Sequence, residues 1–177
     1  RHTRYIGDWS SDVCSSDLAE ARWHLIGPLQ RNKARAALEV FDIVHTVDRF
    51  EIADRLQYLL TEHWPDRRVE VLLEVNVAAE PQKAGVLPEE AGELLEHVLG
   101  LDRLVARGLM AIPPWEEDPE ASRPWFRRLC ELRDRLEEET GHPLPELSMG
   151  MSHDFEIAIA EGATMVRVGT AIFGPRG

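Results

Sequence analysis

Strict alternation constrains this chain more than any other feature of its sequence. Six short apolar runs, WHLIG (23–27), IVHTV (43–47), VEVLLEVNV (69–77), LVARGLMAI (104–112), ELSMGM (146–151) and TMVRVG (164–169), read as strands dense in Val, Leu and Ile. Amphipathic stretches lie between them. LQRNKARAALEVF (29–41) reads as a helix, as does the stretch from Asp48 to about His63, with Phe50, Ala53, Leu56 and Leu60 on one face. EEAGELLEHVLG starts behind Pro88, where a missing N–H costs little, and WFRRLCELRDRLEEETG is stopped by Gly141. DFEIAIAEG (154–162) is a last, short helix. Strands joined in succession through helices run parallel, because each connection must return to the same end of the sheet. The class is therefore α/β, with helices covering the sheet. A doubly wound sheet and a (β/α)8 barrel both satisfy the pattern. A complete barrel needs eight units and six are visible, so periodicity leaves an open sheet and a barrel lacking two units equally standing.

Composition narrows the function classes. Twenty basic against 32 acidic residues give a net charge of −12, which repels phosphate backbones and argues against a nucleic-acid partner. No apolar run approaches the roughly 20 residues that span a bilayer, and no signal-peptide pattern opens the chain. Cys14 and Cys130 lack metal or redox spacing, and the histidines lack ligand spacing, so neither a disulfide framework nor a metal site is expected. The expectation is a cytoplasmic monomer with no membrane partner. Only two lysines are present, Lys33 and Lys83, so amine chemistry has two candidates.

Residues 1–18, RHTRYIGDWSSDVCSSDL, carry no helical or alternating apolar period. DWSSDVCSSDL resembles a sequencing-adapter oligonucleotide translated in one frame, and the segment reads as a non-native or disordered tail. The domain proper is then 19–177.

Two turns near the C-terminus concentrate the candidate chemistry. In LSMGMSHD (147–154) a strand ends at Gly150, Met151 and Ser152 before the short helix, placing Ser152 to cap that helix, whose free N–H groups can hold an anion. In VRVGTAIFG (166–174) the last strand ends at Gly169, which permits close backbone approach, and Thr170, which offers a hydroxyl. Two such turns on consecutive strands match the phosphate site after the last two strands of a barrel, and they match ordinary tight turns as well. Arg167 lies inside an apolar strand and needs an acceptor if it faces the barrel interior; a ligand heteroatom is one. His24, His45 and Asn76 are expected to satisfy local backbone groups, Asp48 to cap the helix that follows it, and the acidic stretch Glu116, Glu117, Asp118 and Glu120 to be a solvated loop.

Together WHLIGPLQRNK (23–33), HTVD (45–48), VNVAAEPQKAG (75–85), RGLMAIPP (107–114), LSMGMSHD and VRVGTAIFGPR (166–176) closely resemble the YggS/PROSC family. These are pyridoxal 5'-phosphate (PLP) homeostasis proteins built on the barrel of the alanine racemase N-terminal domain. The resemblance covers nearly all of 19–177 in order. It selects the TIM-type barrel and assigns the six strands to its third through eighth units. It implies that Ser152, Gly169 and Thr170, with Met151 at the same strand end, hold the cofactor phosphate, and that Arg167 faces the pyridine nitrogen. An arginine there donates to the ring nitrogen and disfavours pyridinium, which suits a carrier more than carbanion chemistry. The family's Schiff-base lysine and GEN-type motif belong to the first two strands and have no counterpart here, so the chain reads as an N-terminally truncated member, a fragment. The implied function is a PLP carrier or buffer in vitamin B6 homeostasis, serving PLP-dependent enzymes and not itself an enzyme. The alternative is the barrel of a PLP-dependent amino-acid racemase or decarboxylase, which would need a further domain beyond Gly177. A phosphate-sugar or phosphatase-like barrel would need a carboxylate or metal cluster.

Overall fold

The computed structural model describes residues 21–174, so the reading of residues 1–18 as a tail lies outside the described residues. Six strands, β1 (His24–Leu25), β2 (Ile43–Val47), β3 (Val69–Glu74), β4 (Leu104–Met110), β5 (Glu146–Met151) and β6 (Met165–Arg167), form one sheet. They pair in sequence order, each parallel to the next. Between them run α1 (Ala34–Val40), α2 (Phe50–His63), α3 (Ala91–Leu99), α4 (Arg123–Thr140) and α5 (Phe155–Ala160), and the short α6 (Thr170–Phe173) follows β6. Sequential parallel order without a reversal is the order of a barrel, whereas a doubly wound sheet reverses at a switch point.

The sheet curls. In a flat sheet β2 and β5 would stand about 14 Å apart, three strand spacings. Here His45 Nδ1 on β2 lies 3.0 Å from Ser148 Oγ on β5. A contact across three strand spacings requires the sheet to bend into an arc, with those side chains on its concave face.

Alternation along each strand sorts the side chains between two faces. The outer face carries Val44, Val47, Val71, Leu73, Ala106, Leu109, Leu147 and Met149, which pack with Leu56, Leu60, Leu94, Leu95, Phe126 and Leu129 of the helices into one buried core. Each fully buried leucine contributes roughly 2 kcal/mol of transfer free energy. The inner face has only a small apolar cluster of Ile43, Leu72 and Met110, with Met165 against it. At the N-terminal strand ends an ionic layer closes that face: Arg22 and Arg107 meet Glu70, and Arg107 also reaches Glu146 at 3.9 Å.

Several sequence expectations shift by a turn. The helix expected over 29–41 begins as a 3-10 turn at Arg31–Lys33, and the first predicted strand shrinks to two residues. Phe50 is 41% exposed; Ile52 and Leu59 bury themselves instead, with Ala53, Leu56 and Leu60. Phe50 is the first residue of α2, before the buried stripe begins. Gly141 ends α4 as expected, at φ 68° in the left-handed region. The stretch 116–118 and Glu120 are exposed, as a solvated loop requires.

Candidate functional site

The C-terminal strand ends gather the predicted site. β5 ends at Met151 and β6 at Arg167, and the two are parallel neighbours, so the turns that follow lie side by side. Gly150 makes this possible. It sits at φ 88°, and a Cβ there would stand 2.5 Å from the Ala158 Cβ, so only glycine lets α5 fold back this tightly on β5. Ser152 then faces the turn after β6. Its Oγ accepts hydrogen bonds from the backbone N–H of Gly169 at 3.0 Å and of Ala171 at 3.3 Å.

This corrects one expectation. Ser152 does not cap α5; the N-cap of α5 is Asp154, whose Oδ1 instead accepts from the Met151 N–H at 2.7 Å. Ser152 crosses to the neighbouring turn because both donors there point at it, whereas its own helix starts three residues later, at Phe155. Gly169 leaves open approach: a Cβ built on it meets no atom within 4 Å. Thr170 is the exposed first residue of α6, and Met151 is 45% exposed at the strand end. Met149 turns to the outer core instead.

Arg167 lies two residues after inward-facing Met165 on β6, so it shares that face and points into the concave side. Its acceptors are protein groups: Nη1 donates to the Ser148 carbonyl at 2.8 Å and to Ser148 Oγ at 2.7 Å, and Nη2 donates to the Ala111 carbonyl at 2.8 Å. Three bonds occupy three of a guanidinium's five donors. Burial pushes its pKa down to about 10, with Asp154 and Glu74 pulling the other way. It therefore remains a cation at neutral pH.

The sequence reading missed the polar residues around this arginine. His24 and His45 do not serve local backbone groups: His24 Nδ1 meets His45 Nε2 at 2.8 Å, and His45 meets Ser148. Their strands bring four polar side chains onto one concave face, a relation that no local window contains. Asn76 does satisfy local backbone, bonding the carbonyl and N–H of Glu80. Asp48 does not cap α2; its carboxylate is held by Arg49 Nη1 at 2.6 Å and 2.7 Å. Glu74, at the end of β3, is buried, and its Oε2 has no hydrogen-bond partner among the described residues. Burial, reinforced by Asp48, pushes its carboxyl up to about 7 against the opposing pull of Arg167 and Arg49. The signal available in sequence was the period: Glu74 and Leu72, His45 and Ile43, Arg167 and Met165 each share a face.

The two lysines sit elsewhere. Lys33 lies in the 3-10 turn before α1 and is exposed. Lys83 follows β3, where its Nζ donates to the Pro113 carbonyl at 3.1 Å and pairs with Glu80 at 2.7 Å.

Comparison with known proteins places this geometry. The family described as "Alanine racemase, N-terminal domain" matches residues 13–177. The pyridoxal phosphate homeostasis protein of Aquifex aeolicus is 48% identical over 157 residues, 89% of this chain and 68% of that protein. Its namesake in Pseudomonas aeruginosa is 48% identical over 154 residues, 87% of this chain and 64% of that protein. The chain thus spans about two thirds of the length of these curated relatives. Among solved structures, PipY of Synechococcus elongatus with PLP bound superposes with a TM-score of 0.80 at 38% identity, covering 90% of this chain and 73% of that one. An alanine racemase of Clostridium difficile shares the fold at 14% identity, with a TM-score of 0.72 over 88% of this chain and 40% of its own. The strand order, the paired turns and these matches agree that the chain belongs to the pyridoxal phosphate homeostasis family, on the fold of the alanine racemase N-terminal domain.

Proposed function

We propose that this chain binds PLP without catalysing its chemistry, as a carrier or buffer in vitamin B6 homeostasis. The observation that carries the reading is the convergence of two backbone N–H groups on Ser152 Oγ beside open space at Gly169, with a part-buried cation, Arg167, on the adjoining concave face. That donor set suits a phosphate joined to a ring with an acceptor nitrogen. Ser152, Gly169 and Thr170 would hold the phosphate, with Met151 beside them, and Arg167 would face the ring nitrogen. The cofactor supplies, when bound, an aldehyde and an electron-withdrawing ring. The protein's contribution is binding and orientation: a guanidinium keeps its proton and offers only donors, so the ring nitrogen it faces stays an acceptor.

Covalent capture of the aldehyde needs a free amine. Lys83 is engaged by Glu80 and Pro113, and Lys33 is on the turn before α1, so neither is placed to capture the aldehyde of a cofactor whose phosphate sits at Ser152 and Gly169. The protein acts as a cytoplasmic monomer that exchanges PLP with PLP-dependent enzymes. Among the described residues no helix is long and apolar enough to cross a membrane.

Equilibrium dialysis of the full chain against PLP tests the reading. Thr170→Val should weaken binding about tenfold or more, the loss of one charge-assisted bond worth roughly 1.5–3 kcal/mol. Unchanged affinity would remove Thr170 from the site. Borohydride should fix no cofactor on Lys33 or Lys83, and mass spectrometry showing a reduced adduct at either would overturn this placement. Racemisation or decarboxylation of added amino acids would favour the enzyme alternative.

A further inference from the structure

Four side chains from four strands form one hydrogen-bonded line across the concave face. Arg167 Nη1 lies 2.7 Å from Ser148 Oγ, His45 Nδ1 lies 3.0 Å from the same oxygen, and His45 Nε2 lies 2.8 Å from His24 Nδ1. The donor inventory of each group then fixes the protons. A guanidinium has donors only, so Ser148 Oγ accepts from Arg167. Ser148 is fully buried, and the partner left for its O–H is His45 Nδ1. A neutral imidazole that accepts at one nitrogen carries its proton on the other, so His45 holds Nε2–H and donates it to His24 Nδ1. The polarity runs one way, from Arg167 to His24.

A proton added to His45 would oppose that order. Nδ1 would become a second donor aimed at the Ser148 hydroxyl, leaving the buried O–H without an acceptor, and would bring a second cation close to Arg167. The groups facing His45 reinforce the neutral form: burial, then His24 from β1, then Arg167 from β6, hold its pKa down to about 4. His24 is lowered too, by burial and then by Arg22, against Asp42, Glu70 and Glu146.

We propose that neutral His45, acting through Ser148, is the positioning residue for Arg167, holding the guanidinium in the orientation that offers a donor to an unprotonated heteroaromatic nitrogen. The ligand side of this statement rests on the proposed PLP-binding function. The Ser148 and Ala111 carbonyls hold two further donors of Arg167. The His45–Ser148 bond adds what carbonyls cannot: it commits the Ser148 proton away from Arg167, so the hydroxyl meets the guanidinium only as an acceptor. Losing such an outer partner frees the guanidinium to rotate without removing its charge.

The test has two arms. Nitrogen-15 spectra of the full chain without cofactor should show His45 with Nδ1 unprotonated and Nε2 protonated from pH 5.5 to pH 8. PLP titrations of the same chain should show binding about tenfold weaker in His45→Phe, with a shifted cofactor absorbance band, and mostly restored in His45→Asn, whose amide oxygen can stand in for Nδ1. Thr46→Val is the structural control. Thr46 is equally buried on the same strand but donates to the Gly27 carbonyl at 3.0 Å, so its loss should lower stability and leave affinity and spectrum alone. A His45 protonated on Nδ1, or a folded His45→Phe chain with unchanged Arg167 side-chain resonances, overturns the proposal. If the unaltered chain binds no PLP, the functional reading fails, and the tautomer and the Arg167 resonances still decide the positioning role.

Discussion

The two faces of this sheet are made of the same six strands and obey different rules. The outer face is apolar from β2 to β5 and is sealed by helices into a single core. The inner face alternates an ionic layer, a thin apolar layer and a polar layer, and three of its side chains, buried His45 and Glu74 and part-buried Arg167, have pKa values shifted well away from the ordinary ones. Stability is concentrated on one side and chemistry on the other. A barrel-type fold allows this because helices can close one face fully while the curl brings distant strands together on the other.

The sharpest way to break the comparison is to injure each face separately. Leu56→Ala, in the fully buried stripe of α2, should cost roughly 3–4 kcal/mol in urea unfolding, the usual toll of a large-to-small change in a core that relaxes only partly. PLP affinity of the fraction that remains folded should be unchanged. If Leu56→Ala instead abolished binding while sparing stability, the division between faces would be wrong.

The next largest effect comes from two inner-face groups with opposite pH signatures. Glu74 titrates near 7 when folded, against an ordinary 4.5. Between those values the unfolded chain sheds a proton that the folded chain keeps, so stability falls as pH rises from 4.5 to 7 and the penalty is complete above 7. His45 titrates near 4 when folded, against an ordinary 6.5. Below 6.5 the unfolded chain gains a proton that the folded chain refuses, so stability falls as pH drops from 6.5 to 4 and is fully present above 6.5. Each shift corresponds to roughly 2–3 kcal/mol at about 1.4 kcal/mol per unit, after allowing for relaxation around buried charge. Between pH 4.5 and 6.5 the two slopes oppose each other. Glu74→Gln should therefore be more stable than the parent by about 2 kcal/mol at pH 8 and should expose the His45 slope, with stability rising steadily from pH 4 to 6.5. A pH-independent difference between the two chains would remove Glu74 from the set of strained groups.

This division also explains what could be read from the sequence. The outer face was legible because periodicity is local: IVHTV and ELSMGM coincide with β2 and β5 to the residue. So were the turns at Ser152 and Gly169, since glycine and a hydroxyl after a strand are a local signal. The inner face was legible at Arg167, an arginine inside an apolar strand, and not at the residues around it. His45 takes its partners from residues 21 and 103 positions away, and Glu74 is defined by what it lacks. Local propensity also misassigned Asp48 and Ser152 as caps, because both residues suit a cap chemically, while Asp48 pairs instead with its neighbour Arg49 and Ser152 with the distant turn at Gly169.

Asp48 offers the smallest and most discriminating prediction. Had it capped α2, Asp48→Asn would be nearly neutral and Asp48→Ala would cost about 1 kcal/mol. In the structure Asp48 instead does two things: it pairs with Arg49, whose side chain is 47% exposed, and it raises the pKa of Glu74. A half-exposed pair contributes about 0–1 kcal/mol, and relief of the repulsion on Glu74 offsets part of that. Asp48→Asn and Asp48→Ala should accordingly lie close together, each within about 1 kcal/mol of the parent at pH 7. Both should lower the pH at which the Glu74 carboxyl titrates, read from its carbon-13 resonance, because the repelling charge of Asp48 is gone while Arg167 and Arg49 remain. The stability change alone would be too small to interpret. Paired with the Glu74 midpoint it is decisive: a midpoint left in place, with Asp48→Ala alone losing stability, would return Asp48 to the role of a cap.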